Sequence, residues 1–298
     1  MPSLLRRLND LWIFDPGRWP AREALARTFG ILAVGAFLIR RVLQLQAFPG
    51  YIADVEWARA WFALPAAFAS FLAPGPFDLQ SYYAHFGYSW NEIRALWVTR
   101  LLIWIVETAI LLAYLLAFLT RKPARAVARG FMETVFPLVL VVLPFVIVMT
   151  DYTYQGWFPE RSRWHMTGLF VINGVLIAAG AANAIGLLGL RPAFTIMTEA
   201  RVFVRTGLHG LARHPLYAAH FVIYFCYTIL HFHTATAALY LVFVAGQTIR
   251  ARIEEKKMAA VFPEYEDYRR TTGMFFPRLW RRERSSERGE TQPRAPRP

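Results

Sequence analysis

The sequence predicts an all-α, polytopic membrane helix bundle with about six transmembrane helices, a C-terminal helical hairpin and a cytoplasmic cofactor pocket. Three observations predict it. The 298-residue chain is 56% hydrophobic and 18% charged, where soluble domains are roughly 45–50% apolar and about 25% charged. Its apolar residues gather in runs near the length of about 20 residues that spans a bilayer. About half of its net charge of +13 falls in two short connections between those runs, where a membrane protein carries its cytoplasmic Lys and Arg. A soluble globular enzyme and a disordered or fibrous chain are excluded on these grounds. The apolar content also argues against nucleic acid as the partner of the basic charge. The single Cys226 excludes an intramolecular disulfide. No signal peptide is expected, because residues 1–24 carry Arg6, Arg7, Arg18 and Arg22 without a sustained apolar core.

The elements follow in order. Residues 1–94 form an N-terminal membrane-associated region. Its apolar stretches, Phe29–Ile39 and Trp57–Ala73, are short or interrupted: the first ends in Arg40-Arg41, the second contains Arg59 and Pro65. One of them is expected to lie in the interface or to enter only partway. Residues 95–184 hold the core spans, with Ala95–Leu119, Phe131–Met149 and the start of Thr167–Leu190. Residues 185–278 form the functional region, in which Ala218–Gly246 is too long for one span and is broken at His231-Phe232-His233-Thr234 into a hairpin. Residues 279–298 read as a disordered basic tail near the anionic leaflet. The connection 120–130 carries Arg121, Lys122, Arg125 and Arg129 and no acid, and 191–214 carries four Arg against Glu199. Both are expected to be cytoplasmic, with 74–94 and 150–166 outside. An Arg-rich N-terminus on the same side requires an even number of crossings. The expected location is a bacterial inner membrane with both termini cytoplasmic.

Charges within spans come first as candidates for chemistry, because they are costly there and often functional. Arg100 and Glu107 are seven residues apart on one span, two turns and the same face. They read either as members of a structural pair or as contacts to a substrate. His209, His214, His220, His231 and His233 cluster in the last third. Their spacings do not point several rings at one metal, so no metal ligands are assigned. Neither a G-x-G-x-x-G nor a P-loop pattern is present.

The informative segment is 205–278. A Gly-containing turn leads into Arg213-His214-Pro215-Leu216-Tyr217. Pro is tolerated in the first turn of a helix, so Arg213 and His214 sit at a helix N-terminus, a setting that favours an anionic group. Beyond the hairpin, Gln247–Val261 continues as a polar helix on which Arg250 and Glu254 share a face and Glu255 lies beside them. The hairpin returns this helix to the surface where Arg213-His214 began. A snorkelling Arg, a capping His and solvated acids would produce the same spacing.

The order of Gly207, Arg213-His214-Pro215-Leu216-Tyr217, Glu254-Glu255 and Phe262-Pro263-Glu264-Tyr265-Glu266-Asp267-Tyr268 resembles the isoprenylcysteine carboxyl methyltransferase family and the related membrane phospholipid methyltransferases, in a bacterial-type form. The resemblance covers about residues 185–278. The chain departs from the pattern at His209, where Tyr is usual, and at Ala219 and Pro263, where Gly is usual. The resemblance implies S-adenosylmethionine as cofactor, with Gly207, His209, Arg213, His214, Pro215, Tyr217 and Glu255 as the binding set. Arg213 and the helix N-terminus suit its carboxylate, Glu254 or Glu255 its ammonium, and His214 and Tyr217 its adenosine or sulfonium.

Arg250 and Glu254 are the candidate catalytic residues. Arg250 would hold a carboxylate acceptor, and Glu254 would serve as base for an amine or hydroxyl. The expected partners are a lipophilic small molecule or lipid as acceptor and the surrounding membrane lipids, with no nucleic acid. Two other readings stay open: a membrane NADPH-dependent reductase of the sterol-reductase type, and a non-enzymatic scaffold or transporter. The topology has a direct test. A Cys at Ala124, in a chain with Cys226 replaced, is expected to react with a membrane-impermeant thiol reagent from the cytoplasmic side; labelling only from outside would overturn the assignment.

Overall fold

The computed structural model describes residues 19–47, 90–149, 163–230 and 232–278. The stretch 57–73, the tail 279–298 and most of the connections expected to be external lie outside the described residues. Within them the fold is all-helical: α1 (Trp19–Ala47), α2 (Trp90–Thr120), α3 (Gly130–Met149), α4 (Arg163–Leu190), α5 (Pro215–Leu230), α6 (Thr234–Val261) and a short α7 (Tyr265–Thr271). The short apolar stretch 29–39 is thus the middle of a longer helix, α1.

Two segments, Leu101–Thr120 and Thr167–Ala193, are long and apolar enough to cross a membrane. Their outward surface is apolar as well. Leu102, Ile105, Leu112 and Leu116 of α2 and Val171, Val175, Ile185 and Leu188 of α4 are all exposed. Water would not leave so many large apolar side chains uncovered in one zone, whereas acyl chains match them. α3 and α5 are shorter apolar helices.

The helices approach closely through small residues, as bundles in lipid require. Ala113 and Ala117 of α2 meet Leu187 of α4 and Leu216 of α5 in one buried cluster, closed by Phe118 and Phe194. A Cβ on Gly246 of α6 would meet the end of the Leu140 side chain of α3, so the two helices pack closely there. At the hairpin bend His233 caps α6: its Nδ1 accepts from the Ala235 amide at 3.1 Å, and the Thr236 hydroxyl accepts from the His233 amide at 3.0 Å. The sixteen residues of α5 span about 24 Å, which separates this cap from His214 at the helix's other end.

The two basic connections lie side by side at one end of the bundle. The Ala126 and Ala200 backbones pair in an antiparallel bridge, with Ala126 N–H to Ala200 O at 3.1 Å and Ala200 N–H to Ala126 O at 3.0 Å. Buried charges lock them together. The Arg201 guanidinium is fully covered and reaches Glu199 and Glu23, each at 2.6 Å, and the Lys122 carbonyl. Glu23 also takes Arg121 at 2.9 Å, which fixes the start of α1 against the end of α2. Nearby, Lys257 of α6 donates to Glu133 of α3, to Val127 O at 2.8 Å and to Thr198 O at 2.9 Å.

Removing one member of a buried charge cluster strands the others, at a cost on the order of 3–5 kcal/mol. Arg201→Met is therefore expected to lower the thermal stability of the purified protein in detergent by that order. An unchanged Tm would show that the cluster contributes nothing to holding α1.

Candidate functional site

The site forms where the N-terminus of α5 meets the polar end of α6. Two local features deliver Arg213 and His214 there. Gly207 has φ of 60°, a conformation that costs a non-glycine residue strain, and starts the one-turn helix Gly207–Gly210. Pro215 then opens α5, at the position where its missing N–H is harmless. A strap after α7 fixes the pair from outside: the Arg213 amide donates to Gly273 O and the His214 amide to Met274 O, both at 2.9 Å.

The side chains converge with the acids of α6. Arg213 Nε donates to Glu255 Oε1 at 2.7 Å, and its Nη1 donates to the carbonyls of Arg269 at 2.7 Å and Thr272 at 2.6 Å. His214 Nε2 lies 3.2 Å from the same Glu255 oxygen, and its Nδ1 lies 3.8 Å from Glu254 Oε2. Tyr217 O–H donates to Glu254 Oε1 at 2.7 Å. Arg250 Nε donates to that oxygen at 2.9 Å, and Arg250 Nη2 donates to Ile196 O at 2.7 Å. The Arg250 guanidinium lies 5.4 Å from the centre of the Tyr217 ring, and the His214 and Tyr217 rings stack 5.3 Å apart, only 9° from parallel. Both charged clusters of the sequence therefore meet in one network, in which each glutamate takes one arginine.

Arg213, expected to take an anionic ligand group, spends its hydrogen bonds on Glu255 and two backbone carbonyls and so acts as a strut. Gly207 is exposed and shapes the turn. His209 is buried, and its carbonyl accepts the Tyr268 phenol. Burial, with a smaller push from His214, lowers the His209 imidazole to about 4, so it is neutral at physiological pH. Burial pushes the Glu255 carboxyl up, but the hydrogen bonds and charges of His214 and Arg213 outweigh it and hold Glu255 below the ordinary carboxylate range.

Phe262, Tyr265 and Tyr268 recur every three residues, and all are buried around Phe203, with ring centroids 5.2–6.0 Å from it. This aromatic run clamps α7 onto the connection before α5. Burial raises the Tyr268 phenol to about 12. Pro263 stands exposed just after the end of α6, where the absence of an N–H costs nothing. Ala219 is buried in α5.

Three contributors were not singled out from the sequence: Phe275, tilted 6.1 Å from His214, the Ile196 carbonyl on Arg250, and Tyr114 of α2, which lies within electrostatic reach of Arg250 and Tyr217. A carbonyl leaves no trace in residue identity, and Phe275 is one aromatic among many. Glu107 pairs with Arg41 of α1 and accepts from Tyr227 O–H at 2.9 Å; the side chain of Arg100 lies outside the described residues. A cleft of about 260 Å³ opens behind the Arg213 strut, lined by Arg205, Glu264, Asp267 and Thr272 among others. Among the described residues no three His, Cys, Asp or Glu side chains converge as a metal site.

No protein-family model matches the chain. It is similar to the nickel-cobalt-cadmium resistance protein NccN of Alcaligenes xylosoxydans xylosoxydans, 39% identical over 77 residues, which is 26% of this chain and 36% of that protein. It is also similar to the cobalt-zinc-cadmium resistance protein CzcN of Cupriavidus metallidurans, 36% identical over 77 residues, again 26% of this chain and 36% of the relative. The chain thus spans about a third of the length of the curated relatives it matches.

The shifted groups define two acid windows. The His209 pKa in the fold lies below its ordinary 6.5, at about 4, so the unfolded chain binds its proton first. Stability from this group is present above about pH 6.5 and is lost as pH falls toward 4. Glu255, held below its ordinary 4.5, contributes stability above that value and loses it as pH falls through its folded pKa. Melting curves against pH should therefore flatten between about pH 6.5 and 4 in His209→Gln, and only below about 4.5 in Glu255→Gln. Identical profiles for both variants and the parent would remove these groups from the acid response.

Proposed function

We propose that the chain is an integral membrane methyltransferase that uses S-adenosylmethionine on a lipophilic acceptor, with six crossings, both termini cytoplasmic and a place in a bacterial inner membrane. The observation that carries this reading is the convergence of Arg213, His214 and Tyr217 with Arg250, Glu254 and Glu255 in one network beside membrane-length apolar helices. The residues fit the cofactor's chemistry. Glu254 and Glu255 offer carboxylates to an ammonium, and His214, Tyr217 and Phe275 offer ring faces to a sulfonium or a purine. Bound there, the cofactor supplies an electrophilic methyl group.

The work left to the protein is alignment, charge and exclusion of water. Arg213 and the strap carbonyls of Arg269 and Thr272 hold Glu255 and His214 in place. Arg250, fixed by Ile196 O and Glu254, faces the acceptor side, and Glu254 is the proton acceptor within reach of Tyr217. The lipid-facing surfaces of α2 and α4 give a lipophilic acceptor a lateral path to the site. The two relatives are named for metal resistance. Methylation of an envelope lipid fits such a setting, because it changes the charge and hydrogen bonding that a membrane surface offers to divalent cations.

Calorimetry of the purified protein with S-adenosylmethionine and its demethylated product is expected to show saturable binding. Loss of a hydrogen bond to a charged group costs about 1.5–3 kcal/mol, or roughly 10- to 150-fold. His214→Ala and Tyr217→Ala, which remove the two ring faces, are expected to weaken cofactor binding by up to that range, and parental affinity in both would sink the assignment. For methyl transfer, Arg250→Lys is expected to be nearly as damaging as Arg250→Ala, since a point charge does not reproduce a planar fork. Full turnover in a folded, cofactor-binding Arg250→Ala would leave Arg250 a structural member of the network with no part in methyl transfer.

A further inference from the structure

Inward of Arg250 the bundle carries a polar stripe that the motif residues do not account for. Phe243, Gln247, Arg250 and Glu254 recur at intervals of four, three and four on α6, which places them on one helix face. That face meets α5: the Phe243 ring lies 6.2 Å from Phe221 and 5.1 Å from Tyr224, and Arg250 lies over Tyr217. Gln247, between them, is only 4% exposed. Its side-chain carbonyl has no hydrogen-bond partner among the described residues.

The facing wall is polar too. Tyr217, His220, Tyr224 and Tyr227 recur along α5 at intervals of three, four and three. His220 and Tyr224 are 6.1 Å apart, and Tyr224 and Tyr227 are 6.5 Å apart. Tyr114, Tyr217, His220 and Tyr224 lie among packed helices and are each only partly buried. At the membrane end of the stripe a slot of about 40 Å³ opens beside Glu107 and Tyr227, walled by Ile103, Ile110 and Ile223.

The charges along this stripe are already matched. Arg250 has Glu254 at 2.9 Å, and Glu107 has Arg41. An ammonium arriving here would add a second positive charge beside the sulfonium in a low-dielectric interior, and a carboxylate has no proton to give the Gln247 carbonyl. The unpaired side-chain carbonyl of Gln247 asks instead for a neutral group with a proton to donate.

We propose that this stripe is the acceptor site, and that it selects a lipophilic acceptor whose reacting group is a neutral hydroxyl. The inference rests on the methyltransferase reading and narrows it. The hydroxyl donates to Gln247 Oε1 in the resting complex. In the reaction the hydroxyl oxygen forms a bond to the methyl carbon while that carbon's bond to sulfur breaks, the bonding pair staying on sulfur. As that bond forms, the hydroxyl proton turns from Gln247 Oε1 to the Tyr217 oxygen and passes to it, while the Tyr217 proton moves to Glu254, 2.7 Å away. The positive charge on sulfur and the negative charge on Glu254 disappear together, and Arg250, left without its partner's charge, carries the remaining positive charge until Glu254 releases the proton to solvent.

The test uses the full chain in detergent and three probes of equal length: dodecanol, dodecanoic acid and dodecylamine. Diazirine forms of each are crosslinked without cofactor, and the plain forms are offered as acceptors with methyl-labelled S-adenosylmethionine. Cofactor binding is measured separately by calorimetry. The alcohol is expected to crosslink to α5 and α6 peptides around Gln247 and to be the probe that is methylated. Gln247→Met is expected to raise its KM about tenfold and to weaken its crosslink, with cofactor affinity unchanged and Gln247→Asn less affected. Crosslinking and methylation that favour the acid or the amine, or cofactor binding without transfer to the alcohol, would overturn the hydroxyl assignment and leave the methyltransferase reading standing. Absence of cofactor binding would overturn that reading itself.

Discussion

The pairing of Glu254-Glu255 with Arg213-His214 is the constraint on which the last third of the chain depends. Four ionisable groups meet where the bundle leaves its apolar zone, and none of them is stable there alone. Glu255 takes Arg213 at 2.7 Å and His214 at 3.2 Å, so the start of α5 and the far end of α6 are held at one level. The hairpin has to fold back at a fixed length for this to happen, and His233 supplies the cap that starts the return helix. The strap at Gly273 and Met274 closes the arrangement by taking the Arg213 and His214 amides.

The same economy governs the rest of this end of the molecule. Arg201, Glu199, Glu23 and Arg121 form a second matched cluster, and Lys257 with Glu133 forms a third contact of the same kind. Each joins segments far apart in sequence. Between them they connect α1, α3, α6 and the two basic connections. Helices that present apolar surface on every side gain little from hydrophobic contact with one another in lipid. Polar contacts at the end of the bundle therefore fix their order, and close packing through Ala113, Ala117, Gly180 and Gly246 sets their spacing.

Burying the network has a chemical consequence. Its arginines are matched one-to-one by glutamates, so the groups that face inward offer geometry and hydrogen bonds more than net charge. Tyr217 stands at the junction. It stacks on His214, lies under Arg250 and donates to Glu254, and it begins the polar face of α5 that leads inward past His220 and Tyr224. Gln247 is the one member of the facing stripe whose side-chain carbonyl goes unmatched among the described residues.

The sequence by itself determined the helical class, the positions of α2, α3 and α4 to within a few residues, and the break between α5 and α6, because length and apolar content decide each of these locally. It also determined that Arg250 and Glu254 share a helix face, since a separation of four residues leaves no other arrangement. It suggested one extent for the first helix, Phe29–Ile39, and α1 is far longer, because the charges Glu23 and Arg27 that interrupt the apolar pattern are absorbed by partners nearly a hundred residues away or more. Only the tertiary structure decided which arginine met which glutamate. Residue identity allows either pairing of Arg213 and Arg250 with Glu254 and Glu255, and helix rotation, strap and crossing angle select one. The sequence offered Arg100 as a neighbour for Glu107 two turns away, yet Arg41 and Tyr227 hold that carboxylate. Those partners come from α1 and α5, and only the packing of the helices brings them to Glu107.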